Sequence, residues 1–155
     1  MSEARAITCV FRWPRFPLIC SIDGYLVAGR SLRAFARRLA RFDLSGDREF
    51  KLVDASGEGW VLLPDKMVLA PAFLARRWRK ADIIRLFNES RSAKENGLQY
   101  PESLIPSRRL DAIVNDLAAL LSRSPGALRA KSEKKKEEEG QIPFTSDPAR
   151  SQGRR

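Results

Sequence analysis

Large apolar residues in this chain come in short runs set between turn-forming residues, and their spacing changes from two to about 3.6 in an order that groups strands with strands and helices with helices. That grouping predicts an α+β domain rather than alternating parallel βαβ units. The expected architecture is a four-stranded, mainly antiparallel sheet made of two hairpins and covered by one helix, with two further helices towards the C-terminus. A chain of 155 residues has the size of one ordinary domain. The boundary is expected near residue 128, giving a single body over 1–128 and a tail over 129–155.

The first hairpin is suggested by mirrored positions. Ile7 with Ile22, Cys9 with Cys20, Phe11 with Leu18 and Trp13 with Phe16 would face one another on one apolar side, and Thr8 with Ser21 and Val10 with Ile19 on the other. Pro14 opposes a tight two-residue turn, so a wider loop over Trp13–Phe16 is expected. In the second hairpin, Phe50–Asp54 and Trp60–Leu63 flank the turn Ala55–Gly59. Centring it on Ser56-Gly57 would pair Leu52 with Val61 and Phe50 with Leu63. Between the hairpins, Ser31 can cap a helix whose apolar positions are Leu32, Phe35, Ala36, Leu39 and Phe42. Ile83, Ile84 and Phe87 mark a second helical face. Leu110, Ile113, Val114, Leu117 and Leu121 mark a third, after Pro106 and a capping Ser107.

Charge supplies the functional signal. Lys and Arg number 29 against 19 Asp and Glu, a net charge of +10, and most of the cations are Arg. On the first helix Arg30, Arg33, Arg37 and Arg41 fall within an arc of about 80° opposite the apolar stripe, with Arg38 just outside it. No acidic residue lies between Arg30 and Phe42, so none of these cations has a helical partner at three or four residues' distance. Guanidinium groups match phosphate in bidentate geometry, which makes the row a candidate surface for nucleic acid backbone. Composition alone could also produce a solvated Arg face. A second cluster, Arg76-Arg77-Trp78-Arg79-Lys80, could set an aromatic on an unpaired base. Helical phase argues otherwise: if Ile83 and Phe87 face the core, the helix begins near Arg79, Trp78 packs on Ile83, and Asp82 takes the acidic position of a capping box.

Other chemistries lack their parts. The chain has no histidine and only Cys9 and Cys20, which removes His-based triads, most zinc sites and a disulfide framework. Cys9 and Cys20 are expected to be buried thiols. Glu49-Phe50-Lys51 with Asp23 resembles the acid-x-Lys spacing of the restriction-endonuclease-like fold. A whole helix between Asp23 and Glu49 departs from that family's successive strands, and Asp23-Gly24 reads as a turn. Ser56-Gly57-Glu58-Gly59 has strands on both flanks and no following helix, so it reads as a hairpin turn rather than a phosphate loop. No catalytic residue, metal ligand or cofactor is assigned. The stretch Val68–Ala75 is broken by Pro71, and no apolar run nears the roughly 18 residues that would span a bilayer. Met1–Arg5 shows no basic segment leading into an apolar one, so a cytoplasmic protein without a membrane partner is expected.

The tail, Lys131–Glu139 followed by Gly, Gln, Pro, Ser and Arg, holds too little apolar surface to offset its ordering entropy, and disorder is expected. Within it Glu137–Phe144 resembles the acidic, Ile-Pro-Phe-ended peptide of bacterial single-stranded DNA-binding proteins, which implies a partner-docking motif. There the tripeptide ends the chain, whereas here further residues follow Phe144. The reading is a small basic module without catalysis. It binds nucleic acid with low sequence specificity through Arg30, Arg33, Arg37, Arg38 and Arg41, extended by Arg76, Arg77, Arg79 and Lys80. The alternative is an adaptor in which the same cations meet an acidic protein surface.

Overall fold

The structure is a computed structural model that describes residues 4–46, 48–74 and 77–123. Arg76 and the expected tail over 129–155, with its Ile142–Phe144 triplet, lie outside the described residues. Asp23 and Gly24 take φ of 51° and 86°, the backbone of a tight hairpin turn whose twist matches that of its strands. This turn folds Leu18–Ile22 (β2) onto Tyr25–Gly29 (β3), with Leu18 opposite Gly29 and Ile22 opposite Tyr25. The expected hairpin between residues 7–13 and 16–22 does not form. Thr8–Cys9 (β1) instead runs parallel to Val68–Pro71 (β6), with Thr8 opposite Val68. Asp23-Gly24 gives β2 an adjacent partner at once, whereas Pro14 and Pro17 remove ladder donors from the segment that would have joined β1 to it.

Phe50–Val53 (β4) and Gly59–Leu63 (β5) form the second hairpin, shifted by one residue from the expected register: Phe50 faces Leu62 and Leu52 faces Trp60. Asp54 causes the shift. Its Oδ1 accepts from the Ser56 amide at 2.9 Å, the Ser56 hydroxyl at 2.6 Å and the Glu58 amide at 3.0 Å. Its Oδ2 accepts from the Arg15 amide at 3.1 Å and the Trp60 indole at 3.0 Å. Wrapping the turn through Glu58 sets Gly59 opposite Val53. The sheet has six strands in the order β1-β6-β5-β4-β2-β3, antiparallel except at β1-β6, in place of the expected four.

Side-chain alternation divides the buried residues between the two faces of this sheet. Leu18, Cys20, Leu52, Trp60, Leu62 and Leu69 line one face, where Leu32–Leu39 (α1) presses Phe35 and Leu39. Ile19, Leu26, Ala28 and Val53 line the other, beneath Lys80–Glu89 (α2) and Leu110–Ser122 (α4). A short helix, Arg91–Glu95 (α3), and a single turn, Glu102–Leu104, connect α2 to α4. The class is α+β, but helices lie on both faces. The cap of α4 is Arg109, not Ser107, whose hydroxyl lies 3.5 Å from the Leu104 carbonyl inside the preceding turns. No helix among the described residues is long and apolar enough to cross a membrane.

The connection to α4 is anchored by a polar triad. Asp116 accepts from the Tyr100 hydroxyl at 2.6 Å and from two nitrogens of Arg108. Arg108, and then the Tyr100 hydroxyl, holds the Asp116 carboxyl below its ordinary value of 3.8. A carboxyl lowered in the folded state contributes stability above its unfolded value and loses it as pH falls through the folded one. Asp116→Asn is therefore expected to cost about 1 kcal/mol at neutral pH. The gap between variant and parent should close below about pH 4 in urea unfolding curves.

Candidate functional site

Ser31 caps α1, its hydroxyl accepting from the Ala34 amide at 3.1 Å, and Phe35, Ala36 and Leu39 fix the buried side. Helical geometry then turns Arg33 and Arg37 outward, whereas Arg30, before the extended Ser31 cap, and Arg41, after the Ala40 cap, lie outside the helix that was expected to carry them; all four are exposed. None of them forms an ion pair or side-chain hydrogen bond with any described residue; the ion pairs in this region of the sequence belong to Arg12 with Glu58 and Arg48 with Asp23. Arg37 and Arg38 occupy the last turn of α1, where the helix dipole favours cations. Arg33 lies in the first turn, where the same dipole disfavours a cation.

Arg38 departs from the stripe. Half-buried, it donates to the Ala28 carbonyl of β3 at 2.9 Å and to the Ser122 carbonyl at the end of α4 at 3.5 Å. Burial, with the charges of Arg41 and Arg30, lowers its pKa. Its guanidinium clamps two helices to an edge strand and is not free for a ligand.

The second cluster is largely absorbed by the fold. The Trp78 amide donates to the Gly57 carbonyl at 2.8 Å and its half-buried ring packs on the core beneath α2. Arg79 is the cap of α2, with its amide 3.4 Å from Asp82, the capping-box partner expected from the sequence. Lys80 reaches the Ile105 carbonyl at 3.0 Å. Arg77 is exposed and unpaired among the described residues. Because α1 and α2 pack on opposite faces of the sheet, the stripe and the cluster do not share one helical layer.

The remaining candidates resolve similarly. Asp23 is held by Arg48 at 2.8 Å. Among the described residues no group of three or more Cys, Asp or Glu is placed to hold a metal ion. Cys9 and Cys20 are free, on β1 and β2, which the sheet order separates, and burial raises both thiols, Cys20 far above its ordinary value. The turn over Ser56–Gly59 is a hairpin turn, as its flanks predict.

Phe11 and Trp13, expected on a buried hairpin face, are 80% and 68% exposed, and Phe73 and Leu74 are 70% and 106% exposed. The interleaving Phe11-Arg12-Trp13-Pro14-Arg15 is the signal that could have flagged them. No family model, curated protein or solved structure matches the chain.

Proposed function

We propose that this protein binds the phosphate backbone of nucleic acid, without catalysis and with little sequence preference, through Arg30, Arg33, Arg37 and Arg41. The observation that carries the reading is a group of four exposed arginines, two on α1 and one beyond each of its caps, with no carboxylate partner among the described residues. Such a group gathers anionic density and releases counterions when phosphates replace them. Arg77 extends the cationic surface in another layer. Arg38 and Lys80, committed to carbonyls, are not part of it, and Arg79 is set apart because its exposed guanidinium already has the Asp82 carboxylate at 4.0 Å.

Four neutralised phosphates correspond to a log–log salt slope of about −3.5 on duplex DNA. Fluorescence anisotropy across a salt series should give that slope, and Arg33→Ala, Arg37→Ala and Arg41→Ala together should flatten it to about −1. Arg38→Ala is the control: it is expected to lower stability by about 1 kcal/mol and leave the slope in place. Absence of binding at low salt, or a slope indifferent to the triple variant, overturns the reading. The separation of the two cationic groups favours the second reading, an adaptor for an acidic protein, which the same triple variant would test by loss of that partner with oligonucleotides inert.

A further inference from the structure

Three connections meet at one end of the sheet. The Ala55 amide donates to the Arg15 carbonyl at 2.9 Å, the Ala72 amide to the Gly59 carbonyl at 3.0 Å, and the Trp78 amide to the Gly57 carbonyl at 2.8 Å. These bonds tie the β1-β2 loop and the β6-α2 connection to the turn that Asp54 organises. From the two outer connections Phe11, Trp13, Phe73 and Leu74 stand out into solvent. Phe11 and Phe73 meet edge to face, with centroids 5.6 Å apart and an interplanar angle of 81°, so the two loops present one apolar tip. Phe11 and Leu74 hold φ of 73° and 67°, a backbone region that non-glycine residues seldom occupy. A pair of loops that keeps its largest apolar side chains in water, two of them on strained backbone, has a surface suited to something other than water.

The flanking charges indicate what that is. Arg15, whose carbonyl accepts from Ala55, and Arg77, next to the Trp78 that bonds Gly57, belong to these same connections and are exposed without side-chain partners among the described residues, and Arg12, paired with Glu58, lies between Phe11 and Trp13 in the sequence. We propose that this end of the sheet lodges in the surface of an anionic lipid bilayer, with Phe11, Phe73 and Leu74 in the acyl boundary, Trp13 at headgroup level, and Arg15 and Arg77 on the phosphates. Trp prefers that interfacial depth, and each Arg near an anionic surface adds attraction. A second copy of the chain would bring like charges together at the rim. A protein partner would need a cavity for each protruding side chain, whereas hydrocarbon receives them in any arrangement. Single-stranded nucleic acid fits less well, since Leu74, the most exposed of the four, offers no ring and the T-shaped phenylalanines leave no slot between parallel faces. Lodging of this kind needs no spanning helix, and it is independent of the α1 stripe.

The full chain is tested by co-sedimentation with vesicles of pure phosphatidylcholine and of phosphatidylcholine with about a third phosphatidylglycerol, a mixture whose surface is negative. Binding is expected only to the anionic vesicles. Phe73→Ser with Leu74→Ser, both at exposed positions, should weaken it by about tenfold or more. Arg15→Glu with Arg77→Glu should weaken it by at least about fivefold per site. Brominated lipid should quench Trp13, since Trp60 is buried and Trp78 half-buried, and Trp13→Phe should remove the quenching. The Arg33, Arg37 and Arg41 triple variant should retain the insertion signal. The proposal is overturned if anionic vesicles do not retain the chain, if the double serine variant sediments like the parent, or if oligothymidylate but not brominated lipid quenches Trp13.

Discussion

Asp54→Ala is expected to destabilise the fold by about 3–5 kcal/mol, a large fraction of the stability of a domain this size. The carboxylate is 1% exposed and is the common acceptor for five donors from three parts of the chain: Arg15, Ser56, Glu58 and Trp60. Alanine would leave the Trp60 indole without a partner inside the core and loosen the β1-β2 loop from the β4-β5 turn, with the Ala55-to-Arg15 backbone bond and the exposed Arg12–Glu58 ion pair remaining between them. Asp54→Asn separates the contributions. An amide keeps one acceptor oxygen but turns an NH2 towards donors on the other side, so it should recover less than half of the loss. Urea unfolding followed by circular dichroism measures both variants. A loss below about 1 kcal/mol for alanine would mean that water replaces the carboxylate at little cost. The same variant should abolish vesicle insertion before unfolding is complete, because the loops that carry Phe11 and Trp13 are held to the sheet end through this residue.

What the sequence made legible follows the range of the forces involved. The first helix and its Ser31 cap, and the start of α2 at Arg79 with Trp78 beneath it and Asp82 closing the box, rest on contacts within four residues, and local periodicity carries them. Strand pairing does not rest on such contacts. Ile7–Trp13 mirrors Phe16–Ile22 in composition, yet hydrogen-bonding partners are chosen by the Asp23-Gly24 turn on one side and by β6, some sixty residues away, on the other. Tyr25–Gly29 gives no alternating strand signal, because Leu26, Val27 and Ala28 are buried on both faces. The one-residue slip between β4 and β5 came from a side chain, Asp54, that a turn template treats as flanking strand. At the candidate interface the outward direction of Arg33 and Arg37 was readable from helical phase, while Arg30 and Arg41 fall beyond the caps of a helix shorter than the periodicity implied. The commitment of Arg38 was not, because its acceptors are the carbonyls of Ala28 and Ser122, which no side-chain pattern encodes. Phe11 and Trp13 misled for the opposite reason: an apolar residue in an alternating run reads as core wherever it points.

Gly29→Ala is the second substitution expected to act strongly, and it tests how α1 is held. A Cβ on Gly29 would fall 2.5 Å from Phe35 Cβ, 2.6 Å from Phe35 Cα and 2.8 Å from the Phe35 amide nitrogen. Two of these are backbone atoms of the helix, which cannot rotate away, so α1 must lift from β3. Lifting would open the space under Phe35 and Leu39, both fully buried, and lengthen the 2.9 Å bond from Arg38 to the Ala28 carbonyl. Overpacking of this kind is expected to cost about 3 kcal/mol. Gly97→Ala supplies the comparison, since Gly97 has φ of +63° and open space around it. There the backbone conformation alone acts, at about 1 kcal/mol. If the two variants lose equal stability, close approach of helix and strand is not what positions α1. If Gly29→Ala loses the larger amount and faster hydrogen exchange is confined to α1, the glycine sets the distance at which the stripe of arginines stands off the sheet. In that case the salt slope for oligonucleotide should survive in the folded fraction, because Arg33 and Arg37 owe their outward direction to the helix itself and only their placement to Gly29.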